Sequence, residues 1–214
     1  MWVGDVIAVA DARGIGRFAA VGYSSGGKYA AACGFSIPER ISGVGIVSGV
    51  GPPATPGFRN GLGRTDRLSM TLAVRARPLA ILYWRVAREM LARRPEWFVG
   101  EFEKELSEPD RTAVADPELR ELLVRTSREA LREGPHGVVD DSAIQARDCG
   151  FGLERFGVAV RLWHGDADAL VPLAHSQHAA AVIPNAELTV FPGEGHLLVP
   201  HFPKIIRAVA ALEG

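Results

Sequence analysis

A chain of 214 residues is long enough to bury one sizeable hydrophobic core with a small inserted subdomain. Its formal net charge of −1 offers no field for nucleic acid or an anionic membrane surface, so neither is expected as a partner. Two cysteines, Cys33 and Cys149, are too few for a disulfide framework and lack metal-ligand spacing, so both read as small buried apolar residues.

The opening stretch is interrupted early by Asp5 and Asp11 and does not read as a signal peptide. No apolar run approaches the ~20 residues of a spanning helix. A soluble, cytoplasmic protein without metal or cofactor is the expectation. In residues 3–13, Val3, Val6, Ile7 and Ala10 recur at helical spacing, and Gly14 and Gly16 close the segment.

A short apolar run at 18–21 then leads into Gly22-Tyr23-Ser24-Ser25-Gly26-Gly27, followed by an alanine-rich helical pattern over 27–35. The order is strand, sharp turn, helix, with Gly-x-Ser-x-Gly at the turn. A serine at so tight a tip sits in strained backbone geometry, and side chains two residues to either side would collide. Glycine at 22 and 26 removes those collisions and leaves the Ser24 hydroxyl exposed above the sheet. The turn aims the Ser25 N–H, at a helix N-terminus, toward negative charge developing on a bound acyl group. Ser25 and Tyr23, the two neighbours of Ser24, are the candidate oxyanion- and substrate-binding residues.

The β-branched run at 41–50 predicts a buried parallel strand, and the Pro/Gly-rich 51–64 a linker. From 66 to 148 the pattern is helical and charged. Leu68, Leu72 and Ala76 share one face; Pro78 opens the next helix, where Leu79, Leu82, Val86 and Met90 form a stripe. Further helices are expected over 95–106 and 117–132, the latter with Leu119, Leu122, Leu123 and Leu131 inward. Trp84, Trp97 and Phe98 read as core, with pocket lining as the alternative. Strands follow at 158–165 and 186–193, and helices at 173–183 and 202–214. With right-handed crossovers this is a parallel sheet carrying its active residues at the strands' carboxyl ends.

Past the strand at 158–165 come two carboxylates, Asp166 and Asp168, either of which could fix the tautomer of an imidazole; spacing alone does not separate them. After the next strand, Gly193-Glu194-Gly195-His196 suits an exposed loop from which His196 reaches both a serine and an acid. His164 reads as structural, and His136, His175, His178 and His201 as surface residues.

Ser24, Asp168 and His196, each after a predicted strand, follow the chain order of the α/β-hydrolase superfamily. The sequence resembles its serine-nucleophile, cap-bearing bacterial members: VGYSSGG matches the elbow, HGDADALVP the acid loop with Asp168 at the acid position, and GEGHLL the histidine loop. The resemblance implies a partial α/β-hydrolase fold, the C-terminal half of the parallel sheet. Residues 1–51 and 151–214 would form the core, and 52–150 a helical cap inserted between strands. It implies a Ser24-His196-Asp168 triad hydrolysing a small or medium hydrophobic ester through an acyl-enzyme.

Family members carry further strands ahead of the segment at which this chain starts, and a loop among them supplies a second oxyanion amide. Two expectations follow. An oxyanion held by the elbow amide alone lacks a donor whose removal typically costs about 10²–10³ in rate. The strand at 18–23 exposes an unpaired edge, a route to self-association. A non-catalytic binding module built on the same scaffold is the alternative reading.

Overall fold

In a computed structural model, which describes residues 2–213, helix α1 (Trp2–Ala12) precedes strand β1 (Phe18–Tyr23), helix α2 (Gly26–Ser36) and strand β2 (Ile41–Val47). Six helices follow: α3 (Arg64–Arg75), α4 (Arg77–Arg93), α5 (Pro95–Glu103), α6 (Glu108–Val114), α7 (Pro117–Ala130) and α8 (His136–Gln145). The sheet then resumes with β3 (Val160–Gly165), α9 (Ala174–Val182), β4 (Ala186–Phe191) and α10 (Phe202–Ala210). The strands pair in the order β1-β2-β3-β4, all parallel, so their carboxyl ends share one rim.

Side chains alternate across the sheet, as the strand period of two requires. Val44 and Ile46 on β2, and Val160 and Leu162 on β3, pack with Ala30, Ala31 and Cys33 of α2 and Ala179 of α9. Val47 and Trp163, each one residue out of phase with those, pack with Ile205 and Val209 of α10 on the opposite face. Both faces are thereby covered by helices, the arrangement that makes near-continuous apolar runs such as β2 necessary.

The helical insertion departs from the expected faces. Leu68 is exposed, and α3 buries Ser69, Met70 and Ala73 instead. On α4 the stripe of Leu79, Leu82 and Val86 points outward, and the buried residues are Ala80 and Leu91. The reason is close approach: Ala73, Ala80, Val139 and Ala143 form one cluster, and such short side chains let α3, α4 and α8 pack more tightly than leucines would. Leu122 is likewise exposed, whereas Leu131 is buried.

Boundaries shift for local reasons. β2 stops at Val47 because Ser48 turns into the left-handed region at φ 48°. Helix α7 begins at Pro117 as expected, because the Asp116 carboxylate accepts from the N–H groups of Glu118 at 2.9 Å and Leu119 at 3.0 Å. The closing helix was expected to run to Gly214, which lies outside the described residues. No helix among the described residues is long and apolar enough to cross a membrane.

Candidate active site

At the end of β1 the chain reverses at Ser24, which has φ 54°, a left-handed conformation unusual for a residue with a side chain. Its N–H donates to Val47 O at 2.8 Å, while its carbonyl accepts from Gly27 N–H at 3.0 Å. A Cβ on Gly22 would lie inside the backbone carbonyl of Gly26, so the first glycine of the motif is required by close approach. The second is not required in that way, because a Cβ on Gly26 meets nothing. The collision is one-sided, a correction to the symmetric expectation. Ser25 immediately precedes α2, and no hydrogen-bond acceptor meets its N–H among the described residues.

The rim beyond β3 separates the two carboxylates that the sequence left level. Asp168 is fully buried at its side chain, and its Oδ2 accepts from His196 Nδ1 at 2.7 Å. Its Oδ1 accepts from the N–H groups of Leu170 at 2.9 Å and Val171 at 2.8 Å. Asp166 is exposed and accepts from Gly193 N–H at 2.7 Å instead. His164 Nε2 also lies 3.2 Å from Asp168 Oδ2 and donates to Val171 O at 2.9 Å, so its Nδ1 accepts from the Ser176 hydroxyl at 2.7 Å. Burial pushes the Asp168 carboxyl upward; hydrogen bonds from His164 and His196, the His196 charge and the Val171 N–H outweigh it and hold the value at about 2.

His196 is not the exposed loop residue that its flanking glycines suggest; it is 4% exposed. Its carbonyl accepts from Ser48 Oγ at 2.8 Å and from Tyr23 OH at 3.3 Å, and the Tyr23 ring lies 5.2 Å, centre to centre, from the imidazole. The Tyr23 hydroxyl is thus occupied by the histidine loop, and its pKa is raised, first by burial and then by Asp168 and Asp110. The N–H of His196 donates to Asp110 Oδ2 at 2.7 Å, and that of Leu197 to Asp110 Oδ1 at 2.8 Å. Ser24 and His196 are brought to the same rim through their neighbours, Tyr23 and Ser48. Among the described residues the Ser24 hydroxyl makes no hydrogen bond to the imidazole.

The insertion supplies further polar ties. Gly63 N–H donates to Leu170 O at 2.9 Å, and Thr65 N–H to Glu105 Oε2 at 3.0 Å. Asp66, in the first turn of α3, is within electrostatic reach of His196, which lowers its pKa; burial is the larger effect and, with Glu105 and Asp168, raises it overall. Beside Asp66 opens a cavity of about 590 Å³ lined by Tyr83, Trp84, Met90, Trp97, Phe98 and Phe102 among others. The three aromatics left between core and pocket, Trp84, Trp97 and Phe98, all line it.

At the insertion's exit Lys28 is 8% exposed and donates to Ile144 O at 2.7 Å and to Arg147 O at 2.5 Å, while Gln145 Nε2 donates to Ser25 O at 3.0 Å. His175, expected at the surface, is 1% exposed: Nδ1 accepts from Gly51 N–H at 3.0 Å and Nε2 donates to Phe58 O at 3.1 Å, which pins the linker. Among the described residues no cluster of three or more His, Cys, Asp or Glu side chains could hold a metal ion.

Sequence reasoning missed Asp110, Ser48, Asp66 and Lys28. Only Ser48 carried a signal, lying in the Ser-Gly that ends the β2 run.

Comparison with known proteins agrees with this architecture. The chain is 30% identical over 220 residues to 2-hydroxymuconate semialdehyde hydrolase of Pseudomonas putida, spanning 97% of this chain and 66% of that protein's length. An esterase of Exiguobacterium antarcticum superposes with a TM-score of 0.69 at 17% identity, over 99% of this chain and 72% of the other. A meta-cleavage product hydrolase of Pseudomonas fluorescens IP01 gives 0.65 at 22% identity, over 99% and 70%. These two share the fold. The family model described as "Alpha/beta hydrolase family" matches residues 2–211, and the chain belongs to that family.

Proposed function

We propose that the chain works as a serine hydrolase on a small or medium hydrophobic ester. The observation that carries this reading is the 2.7 Å bond between His196 Nδ1 and a buried Asp168, on the rim where Ser24 is held in left-handed geometry. Donation from Nδ1 leaves Nε2 of the neutral imidazole with a free lone pair, the state a general base needs. His196 takes the Ser24 proton as Ser24 attacks the carbonyl, and Asp168 holds the tautomer and stabilises the imidazolium. The Ser25 N–H stabilises the oxyanion. The intermediate collapses as the His196 imidazolium gives its proton to the departing alcohol. The neutral imidazole then takes a proton from water, which attacks the acyl-enzyme, and returns it to Ser24 as the acid leaves. In this scheme Tyr23 serves the histidine loop rather than the substrate.

The helical insertion acts as a cap, and its aromatic cavity is of a size suited to a small or medium apolar group. A second reading follows the Pseudomonas putida relative, named for a muconate semialdehyde, an anion. The cavity wall carries both signs, Arg64 and Lys104 beside Asp66, Glu101 and Glu105, so the ester series includes carboxylate-bearing members to separate the two readings.

A fluorophosphonate probe and a p-nitrophenyl ester series test the proposal. Labelling and hydrolysis should both fall at least about 10⁴-fold in Ser24→Ala; preference for short neutral esters supports the first reading, and preference for carboxylate-bearing ones the second. A folded, monodisperse sample that neither labels nor hydrolyses would leave the binding-module reading standing. The proposal extends to the edge of β1, where Val21 is 43% exposed and no strand among the described residues pairs on the side away from β2. That edge pairs with a second copy of the chain, and a concentration-independent monomer in gel filtration would exclude it.

A further inference from the structure

The histidine loop is gripped from two sides that belong to different parts of the molecule. From the sheet, Ser48 and Tyr23 hold the carbonyl of His196. From the insertion, Asp110 of α6 holds its N–H, and it does so across a sequence separation of 86 residues. Asp110 is 2% exposed, and each of its oxygens takes a different backbone N–H, His196 at 2.7 Å and Leu197 at 2.8 Å. A third donor, Ser107 Oγ, reaches Oδ2 at 2.8 Å. Two successive amides on one planar carboxylate fix a peptide's orientation as well as its position, in the way a bidentate contact does.

The local sequence disguises this. Ser107-Glu108-Pro109-Asp110 reads as an ordinary helix start, serine followed three residues later by an acid. Yet Ser107 makes no side-chain capping bond, and both side chains of the pattern turn toward the histidine loop. Gly195 completes the arrangement: a Cβ there would collide with the Asp110 carboxylate and the Ser107 hydroxyl, so α6 sits directly against the loop.

We propose that Asp110 is a positioning residue for His196, through which helix α6 of the insertion sets where the imidazole stands. The proposal rests on the hydrolase reading for its effect on rate, but not for its effect on the loop. Without the carboxylate, two adjacent buried N–H groups lose their acceptor, and the loop keeps only its sheet-side bonds. The seat of the insertion and the setting of the base are therefore coupled.

The test compares wild type with Asp110→Ala, Asp110→Asn and Ser107→Ala. Steady-state hydrolysis of a p-nitrophenyl ester is read together with the downfield proton resonance of the His196 Nδ1–H···Asp168 bond and the circular dichroism of each variant. In Asp110→Ala kcat should fall by ~10- to 100-fold, the cost of a misplaced catalytic group, with KM within about twofold because the cavity is untouched. The downfield resonance should broaden or vanish while the circular dichroism is retained. Asp110→Asn, which keeps one acceptor but presents an amide NH2 to the other N–H, should be intermediate, and Ser107→Ala mildest.

A folded Asp110→Ala with the resonance intact and kcat within about twofold of wild type overturns the proposal. If that variant does not fold, unchanged resonance and kcat in both Asp110→Asn and Ser107→Ala overturn it equally. A wild-type protein that shows the resonance but no hydrolysis defeats the hydrolase reading alone, and the resonance still decides the role of Asp110.

Discussion

The carboxyl rim of the sheet and the helical insertion above it use their side chains in opposite ways. At the rim, buried polar groups are bonded to one another: Asp168 accepts from two backbone amides and lies against two imidazoles, while His164, His175 and His196 each use ring nitrogens on named partners. In the insertion, large apolar side chains such as Leu79 and Leu82 stand in solvent, Val86 and Trp97 are half-exposed at the rim of the cavity, and small residues form the contacts between α3, α4 and α8. The difference teaches where each property is needed. In the proposed mechanism the rim moves protons, which tolerates little positional error, and its groups are held by several bonds each. The apolar group of the proposed ester needs only surface to bury, which a cavity lined by aromatic side chains supplies.

Three substitutions or conditions break or sharpen that contrast. The largest effect is expected for Gly22→Ala, whose new methyl group would have to displace the backbone carbonyl of Gly26. It should cost about 3 kcal/mol in urea unfolding and abolish fluorophosphonate labelling.

Next comes acid. The Asp168 carboxyl, held at about 2 in the folded chain, titrates at roughly 3.9 when unfolded. Its contribution, on the order of 2 kcal/mol, is therefore present in full above about pH 4 and is lost as pH falls through about 2. Urea midpoints measured down that range should decline, and Asp168→Asn should flatten that part of the decline.

The smallest effect on stability belongs to Val86→Ser on the cavity rim. Unfolding should change by no more than about 0.5 kcal/mol. KM for a medium-chain ester should rise about fivefold, the equivalent of about 1 kcal/mol of lost apolar contact. A stability loss as large as that of Gly22→Ala would erase the contrast.

The same contrast decided what could be read before any coordinates. The strands and the elbow were legible because local chemistry dictates them: a β-branched run has one comfortable place in a parallel sheet, and Gly-x-Ser-x-Gly after a strand has one comfortable turn. Asp168 and Asp166 became separable only through pairings with His196 and Gly193, which lie some thirty residues further along. The leucine stripe of α4 misled for a physical reason. Periodicity reports that a helix has an apolar face, but not whether neighbouring helices or a cavity mouth will meet it, and Ala80 on the other side made the closer packing surface. Asp110 was hidden because its pattern is also that of a helix N-terminus. His175 was hidden because both of its partners, Gly51 and Phe58, are backbone groups that carry no sequence signature.

The buried ammonium of Lys28 has one more implication. It reaches across from the helix behind Ser24 to the Ile144 carbonyl of α8 and the Arg147 carbonyl just past its end, while Gln145 reaches back to Ser25 O. The insertion is therefore riveted to the chassis at its trailing end, next to Ser24, whereas the side-chain hydrogen bonds of α4 and α5 run to other parts of the insertion.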